Sequence, residues 1–184
     1  MKLYIVRHGV AEEQAARGGD AARTLTPGGR SRMRRIARGL RRLRVSVDTL
    51  FTSPLVRATE TAAILVDKHG GLPKPVELDA LASGVAPLES IRVLAQKAKR
   101  GNVMIVGHEP GLSGIAAALL TGSPDGMAMA LKKGGVIALE LDRLAPRRAT
   151  LLWMGTPRAL RRLGRRVSEA RRRKAAAPHH HSGR

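Results

Sequence analysis

The chain has 184 residues, 43% of them hydrophobic, and 34 lysines and arginines against 14 acids give a formal net charge of +20. This length suits one domain of ordinary size with a tail, and three aromatic residues (Tyr4, Phe51, Trp153) leave a core of Leu, Val, Ile, Ala and Met. The absence of cysteine excludes disulfides and thiolate metal sites, and no apolar run approaches a membrane span or a signal segment, so a soluble, cytoplasmic protein is expected.

Short apolar runs alternate with helix-like stretches. Leu3-Tyr4-Ile5-Val6 reads as a buried strand. Thr26-Pro27 starts a helix, with Thr as N-cap and Pro at the first helical position. Met33, Ile36, Ala37, Leu40 and Leu43 then recur at helical spacing and form one apolar stripe. The eight arginines between Arg30 and Arg44 fall on the other face. Thr49 to Thr52 is a second strand, ended by Ser53-Pro54. Residues 57 to 68 read as a helix and Pro75 to Leu78 as a short strand. Residues 88 to 99 form a helix with Leu88, Ile91, Leu94, Ala95 and Ala98 on one face. Val103 to Val106 is the clearest strand and runs into Gly107-His108, with Pro110-Gly111 marking a turn. An apolar helix over 112 to 120 follows. Val136 to Leu141 and Thr150 to Met154 are two further strands, arranged as an edge hairpin. The alternation predicts an α/β fold: a three-layer α/β/α sandwich with a mostly parallel sheet.

The pattern changes after Met154. The expected organisation is a domain over residues 1–155 and a basic, mobile tail over 156–184. That tail holds ten basic residues and one acid, Glu169. Leu160, Leu163 and Val167 line a short basic helix in it. The run Arg171 to Lys174 and the triplet His179-His180-His181 follow. The triplet reads as a metal ligand or as a tag fragment, and it is set aside from the site.

Two strand ends carry titratable residues where an apolar chain would have continued: Arg7-His8-Gly9 and Gly107-His108-Glu109. In open α/β sheets ligands bind beyond the carboxyl ends of strands, so the two histidines are expected to converge. Arg57 follows the second strand near a helix start and is a third candidate. A neutral imidazole is a competent nucleophile toward phosphorus, splitting hydrolysis into two steps. Arginines and a second, protonated histidine would hold the charge of the transferred phosphoryl group. Gly9, without a Cβ, would let the backbone approach a phosphate. Each element alone has a plainer reading. A histidine at a strand end is often structural, and a basic run is often a solvated face. Spacing alone leaves open which histidine attacks.

Taken together, Leu3 to Gly9, Leu25-Thr26-Pro27-Gly28-Gly29, Ser53-Pro54-Leu55-Val56-Arg57-Ala58 with Thr61-Ala62, and Val106-Gly107-His108-Glu109-Pro110 resemble the histidine phosphatase superfamily. This is the phosphoglycerate-mutase-like fold, and the chain looks most like its short SixA-type phosphohistidine phosphatases. The resemblance spans roughly residues 1 to 155. It implies that His8 is the phosphorylated nucleophile, that Arg7, Arg57 and His108 bind the phosphoryl group, and that neither metal nor cofactor takes part. Larger relatives carry a carboxylate as general acid where this chain has Ala80. Asp79, Glu109 and Glu12 are the candidate substitutes. A missing acid favours a good leaving group, such as phosphohistidine or acyl phosphate, over a sugar alkoxide.

The expected function is therefore a phosphatase acting on protein phosphohistidine. The competing readings are a phosphatase for small phosphorylated metabolites, and a basic module that binds polyanions non-specifically through its arginine face and tail. Near absence of aromatic residues counts against single-stranded RNA reading.

Overall fold

The computed structural model describes residues 1–15, 17–98 and 101–165. Its elements are β1 (Lys2–Arg7), α1 (Pro27–Arg42), β2 (Thr49–Thr52), α2 (Val56–His69), β3 (Val76–Glu77), α3 (Pro87–Lys97), β4 (Val103–Gly107), α4 (Gly111–Thr121), β5 (Val136–Leu141), β6 (Ala149–Gly155) and α5 (Pro157–Leu163). They build one six-stranded sheet in the order β3-β2-β4-β1-β5-β6. Strands β1, β2, β3 and β4 run parallel, while β5 is antiparallel to β1 and to β6. The sheet is thus mixed but mostly parallel, as expected: three of its five pairings are parallel, and β5 runs against the other five strands. The antiparallel β5–β6 pair is the expected edge hairpin.

Side chains of a strand alternate between faces, and here the alternation separates two cores. Leu3 and Ile5 of β1, Val103 and Ile105 of β4, and Ile137 and Leu139 of β5 pack with Ile91 and Leu94 of α3 and with Leu112 and Ile115 of α4. On the other face, Tyr4, Val6, Met104, Val106, Val136 and Ala138 pack with Met33, Ile36 and Leu40 of α1, with Ala58, Ala62 and Leu65 of α2, and with Leu160 of α5. This is the three-layer arrangement. Strands β1 and β4 read as continuous apolar runs because both of their faces are covered.

The Thr26 hydroxyl caps α1, accepting from the Gly29 N–H at 2.8 Å. The buried stripe on α1 ends at Leu40: Leu43 is the C-cap and is exposed, as is Leu88 on α3.

The boundary expected at residue 155 does not hold. Thr156 caps α5, accepting from the Ala159 N–H, and Leu160 is buried in the core with α1. The Arg38 side chain donates to Gly164 O at 3.1 Å, and Arg42 donates to the carbonyls of Leu163 and Arg165. Gly39 and Gly164 let the two backbones meet, since a Cβ on Gly39 would strike Leu160 O and one on Gly164 would strike Arg35 O. One apolar side chain and two backbone contacts dock a segment whose composition alone looks like tail. Val167, the run Arg171 to Lys174 and the His triplet lie outside the described residues.

Candidate active site

Three neighbouring parallel strands deliver the site. In the sheet order, β2, β4 and β1 are adjacent. Thr52 pairs with Val106, Val106 with Val6, and Gly107 with Arg7. The ladder continues beyond the strands, with Ser53 N–H donating to Val106 O at 2.9 Å and His8 N–H to Gly107 O at 3.1 Å. His8 and His108 therefore leave the sheet side by side. Their ring centroids are 5.0 Å apart with an interplanar angle of 49°, close to the spacing of neighbouring strands, about 4.8 Å. Continued alternation aims both rings toward the α1–α2 face. There α2 presents Arg57 in its first turn, buried like the two histidines.

Local bonds fix each group. His8 Nδ1 lies 2.7 Å from Gly9 O. A carbonyl can only accept, so Nδ1 donates and the lone pair of the neutral ring sits on Nε2. His108 Nε2 is 2.8 Å from the buried Ser53 hydroxyl, and its Nδ1 has no hydrogen-bond partner among the described residues. Arg7 donates to Leu131 O at 2.8 Å. Arg57 Nη1 donates to Asp20 O at 2.8 Å and Nη2 to the Asp20 carboxylate at 2.9 Å. The Thr61 hydroxyl, one turn along α2, donates to Arg57 O at 2.7 Å and accepts from Gly9 N–H at 3.0 Å. It ties the loop after β1 to the helix carrying Arg57.

Burial pushes His8 down to about 3; repulsion from His108, Arg57 and Arg7 adds to this, and the Gly9 bond opposes it. Burial likewise lowers His108 to about 4, with repulsion from Arg57 and Arg7 adding to the effect and the Asp20 carboxylate opposing it. Both shifts favour the neutral rings near neutral pH. Burial thus works against the protonated form expected of the second histidine when it holds a phosphoryl group. A phosphoryl dianion entering between these groups supplies the negative charge that favours its protonation.

Gly9 also plays a different part from the one expected. Its N–H is spent on Thr61, and a Cβ there would lie 2.8 Å from Met33 Cγ and 3.2 Å from Leu25 Cδ2. The glycine makes room for the Met33 and Leu25 side chains.

None of the three carboxylates proposed as general acid makes a hydrogen bond to the histidine–arginine cluster among the described residues. Glu109 accepts from Ser113 Oγ at 2.7 Å and from Ser113 N–H at 3.3 Å, capping α4. Asp79 is exposed and lines a cavity with Glu77, Glu89 and Lys97. Glu12 is exposed along a wide cleft with Glu13, Arg17 and Thr24. The carboxylate that does reach the cluster is Asp20, bonded to Arg57 and Arg23. Sequence reasoning missed it, because an aspartate in a short 3-10 turn, 37 residues from its partner, carries no local pattern. Ser53 and Thr61 stood inside the motifs already singled out, and only their hydroxyl partners were hidden.

Paired imidazoles flanked by two guanidiniums, at the carboxyl edge of an α/β sheet, mark a phosphatase. Comparison with known proteins narrows the class. The model of the histidine phosphatase superfamily (branch 1) matches residues 3–82. An uncharacterized protein of Picosynechococcus is 34% identical over 146 residues, 76% of this chain and 85% of that protein. The structure of the protein histidine phosphatase SixA complexed with tungstate superposes with a TM-score of 0.72 at 24% identity, covering 87% of this chain and 99% of that one. The alpha-ribazole phosphatase from Shigella flexneri does so with a TM-score of 0.64 at 19% identity, covering 85% and 97%. The chain belongs to the histidine phosphatase superfamily. Its fold is the phosphoglycerate-mutase-like fold of the SixA structures. No helix among the described residues is long and apolar enough to cross a membrane.

Proposed function

We propose that the chain is a phosphohistidine phosphatase in which His8 is the nucleophile. The observation that carries this reading is the bond from His8 Nδ1 to Gly9 O, which leaves the lone pair on Nε2 of a ring held neutral. Nε2 attacks phosphorus, the substrate's nitrogen leaves with the bonding pair and takes a proton, and water then cleaves the phosphohistidine at His8 to release phosphate. Arg7, Arg57 and His108 hold the phosphoryl oxygens through both steps.

The substrate class follows from the leaving group. Glu109 caps a helix, Asp79 and Glu12 line cavities that include neither histidine, and Asp20 is held below the usual carboxylate range chiefly by its bond from Arg57. An ionised carboxylate is a poor proton donor. The imidazole of a phosphohistidine leaves with little protonation help, whereas an alkoxide does not. The SixA likeness is in keeping with this choice. Asp20 is the one observation that favours the second reading, a phosphatase for small phosphate esters, should phosphate binding free it from Arg57.

Parallel assays on a phosphohistidine protein, an aryl phosphate and an alkyl phosphate, with and without EDTA, test the proposal. Preference for the phosphohistidine protein, undiminished by EDTA, is expected. Faster turnover of the alkyl phosphate would overturn the substrate assignment.

A further inference from the structure

We propose that the cavity between α1 and α5 is a second anion site, separate from the histidine pair, which takes a compact oligophosphate. The cavity measures about 300 Å³ and is lined, among the described residues, by Arg35, Arg158, Arg161, Arg162 and Arg165, none of them an acid.

Arginines on an ordinary solvated face splay apart. Here the backbones that carry the arginines are clamped together, which limits how far the charges can separate. Leu160 is buried against α1, Gly39 and Gly164 bring the chains into backbone contact, and Arg38 and Arg42 are spent on the carbonyls that end α5. The like charges are therefore held close. Arg161 is pushed below its ordinary range by burial and by the charges of Arg32, Arg35, Arg165 and Arg158. Arg35 Nε is buried without a hydrogen-bond partner among the described residues. An anion in the cavity would pair these donors and relieve the repulsion.

Charge density selects the ligand. Several guanidiniums around so small a volume call for several negative charges in a small volume. Linked phosphates supply that, and the guanidinium fork matches their oxygens in pairs. Acidic peptides carry about one charge per 3.3 Å of extended chain, and only where each side chain is acidic. Single-stranded nucleic acid would lack a stacking platform, since none of the lining residues is aromatic. Arg161 also lines the adjoining cavity with Arg7, Arg32, Lys132 and Lys133, so a longer phosphate chain has a basic path toward the reaction centre.

Calorimetric titration of the full chain with inorganic tripolyphosphate tests the site. Saturable one-to-one binding is expected, weakened roughly tenfold for each guanidinium removed in the double variant Arg158→Gln, Arg162→Gln. Both side chains are exposed, and turnover of an aryl phosphate should be unchanged in that variant. Melting curves guard against misfolding. Without ligand the variant should melt no lower than the wild type, and tripolyphosphate should raise the melting temperature of the wild type alone. Unchanged affinity in the double variant overturns the proposal. So does equal affinity for polyglutamate or a single-stranded oligonucleotide of matching charge, which would make this a diffuse polyanion surface.

Discussion

The Asp20 carboxylate lies on the Arg57 guanidinium, Oδ2 to Nη2 2.9 Å, while the Asp20 carbonyl accepts from Nη1 at 2.8 Å. Both contacts fall on the face of the guanidinium that a bidentate oxyanion would use. Asp20 therefore competes with the phosphoryl group for Arg57. Asp20→Ala removes the carboxylate and leaves the carbonyl contact, so Nη2 is freed and inorganic phosphate should inhibit the variant at a concentration roughly three- to tenfold lower, as expected when a competing contact of about 1 kcal/mol is lost. Its kcat on an aryl phosphate should be preserved. A kcat that falls only on alkyl phosphates would instead assign Asp20 as the proton donor.

The two histidines should separate by role. His8→Ala removes the covalent route and should abolish turnover. His108→Ala removes one charge-stabilising group and should slow turnover by about a hundred- to a thousandfold. A trapped phosphoenzyme should be acid-labile, alkali-stable and located at His8. Label recovered on His108 or Ser53 would reverse the assignment.

Where the sequence was legible, the reason is burial. Leu3 to Val6 and Val103 to Val106 are covered on both faces and read as apolar runs, and the residues just after them must sit at the sheet edge. The sheet's direction was not legible at β5, because Val136 to Leu141 is buried like a parallel strand although it runs antiparallel. Long-range polar pairing was equally hidden. Neither the Asp20–Arg57 bond, nor the spending of the Gly9 N–H on Thr61, nor the neutral state of His108 has a local signature. Each depends on what the fold brings within reach.

Acid should destabilise the folded protein earlier than its few acids suggest. His8 and His108 are lowered to about 3 and about 4, while the unfolded chain titrates near 6.5. Between these values the unfolded state binds protons that the native state does not, so stability falls as pH drops from about 6.5 toward about 4. Each unit of difference amounts to about 1.4 kcal/mol. Urea unfolding at pH 7 and pH 5 should show a clear loss for the wild type and a smaller one for His108→Gln. Equal losses would mean that His108 is not buried in its neutral form.

The docking of α5 can be tested by the sign of one substitution. Gly39 lies inside α1, where alanine is favoured over glycine by about 1 kcal/mol. If residues after 155 were a mobile tail, Gly39→Ala would stabilise the protein. In the structure the new Cβ would strike the Leu160 carbonyl oxygen. That atom belongs to backbone capped at Thr156 and anchored by the buried Leu160 side chain, so it cannot swing aside as a flexible side chain would. Overpacking of this kind costs about 1–3 kcal/mol, which exceeds or cancels the gain in helix propensity. With a shift of about 2–4 °C per kcal/mol for a protein of this size, Gly39→Ala should lower the melting temperature by up to several degrees. The pairing of Leu160 with α1 should weaken with it, so Leu160→Ala should cost less in the Gly39→Ala background than in the wild type. A raised melting temperature, with additive losses in the double variant, would return residues 156–165 to the tail.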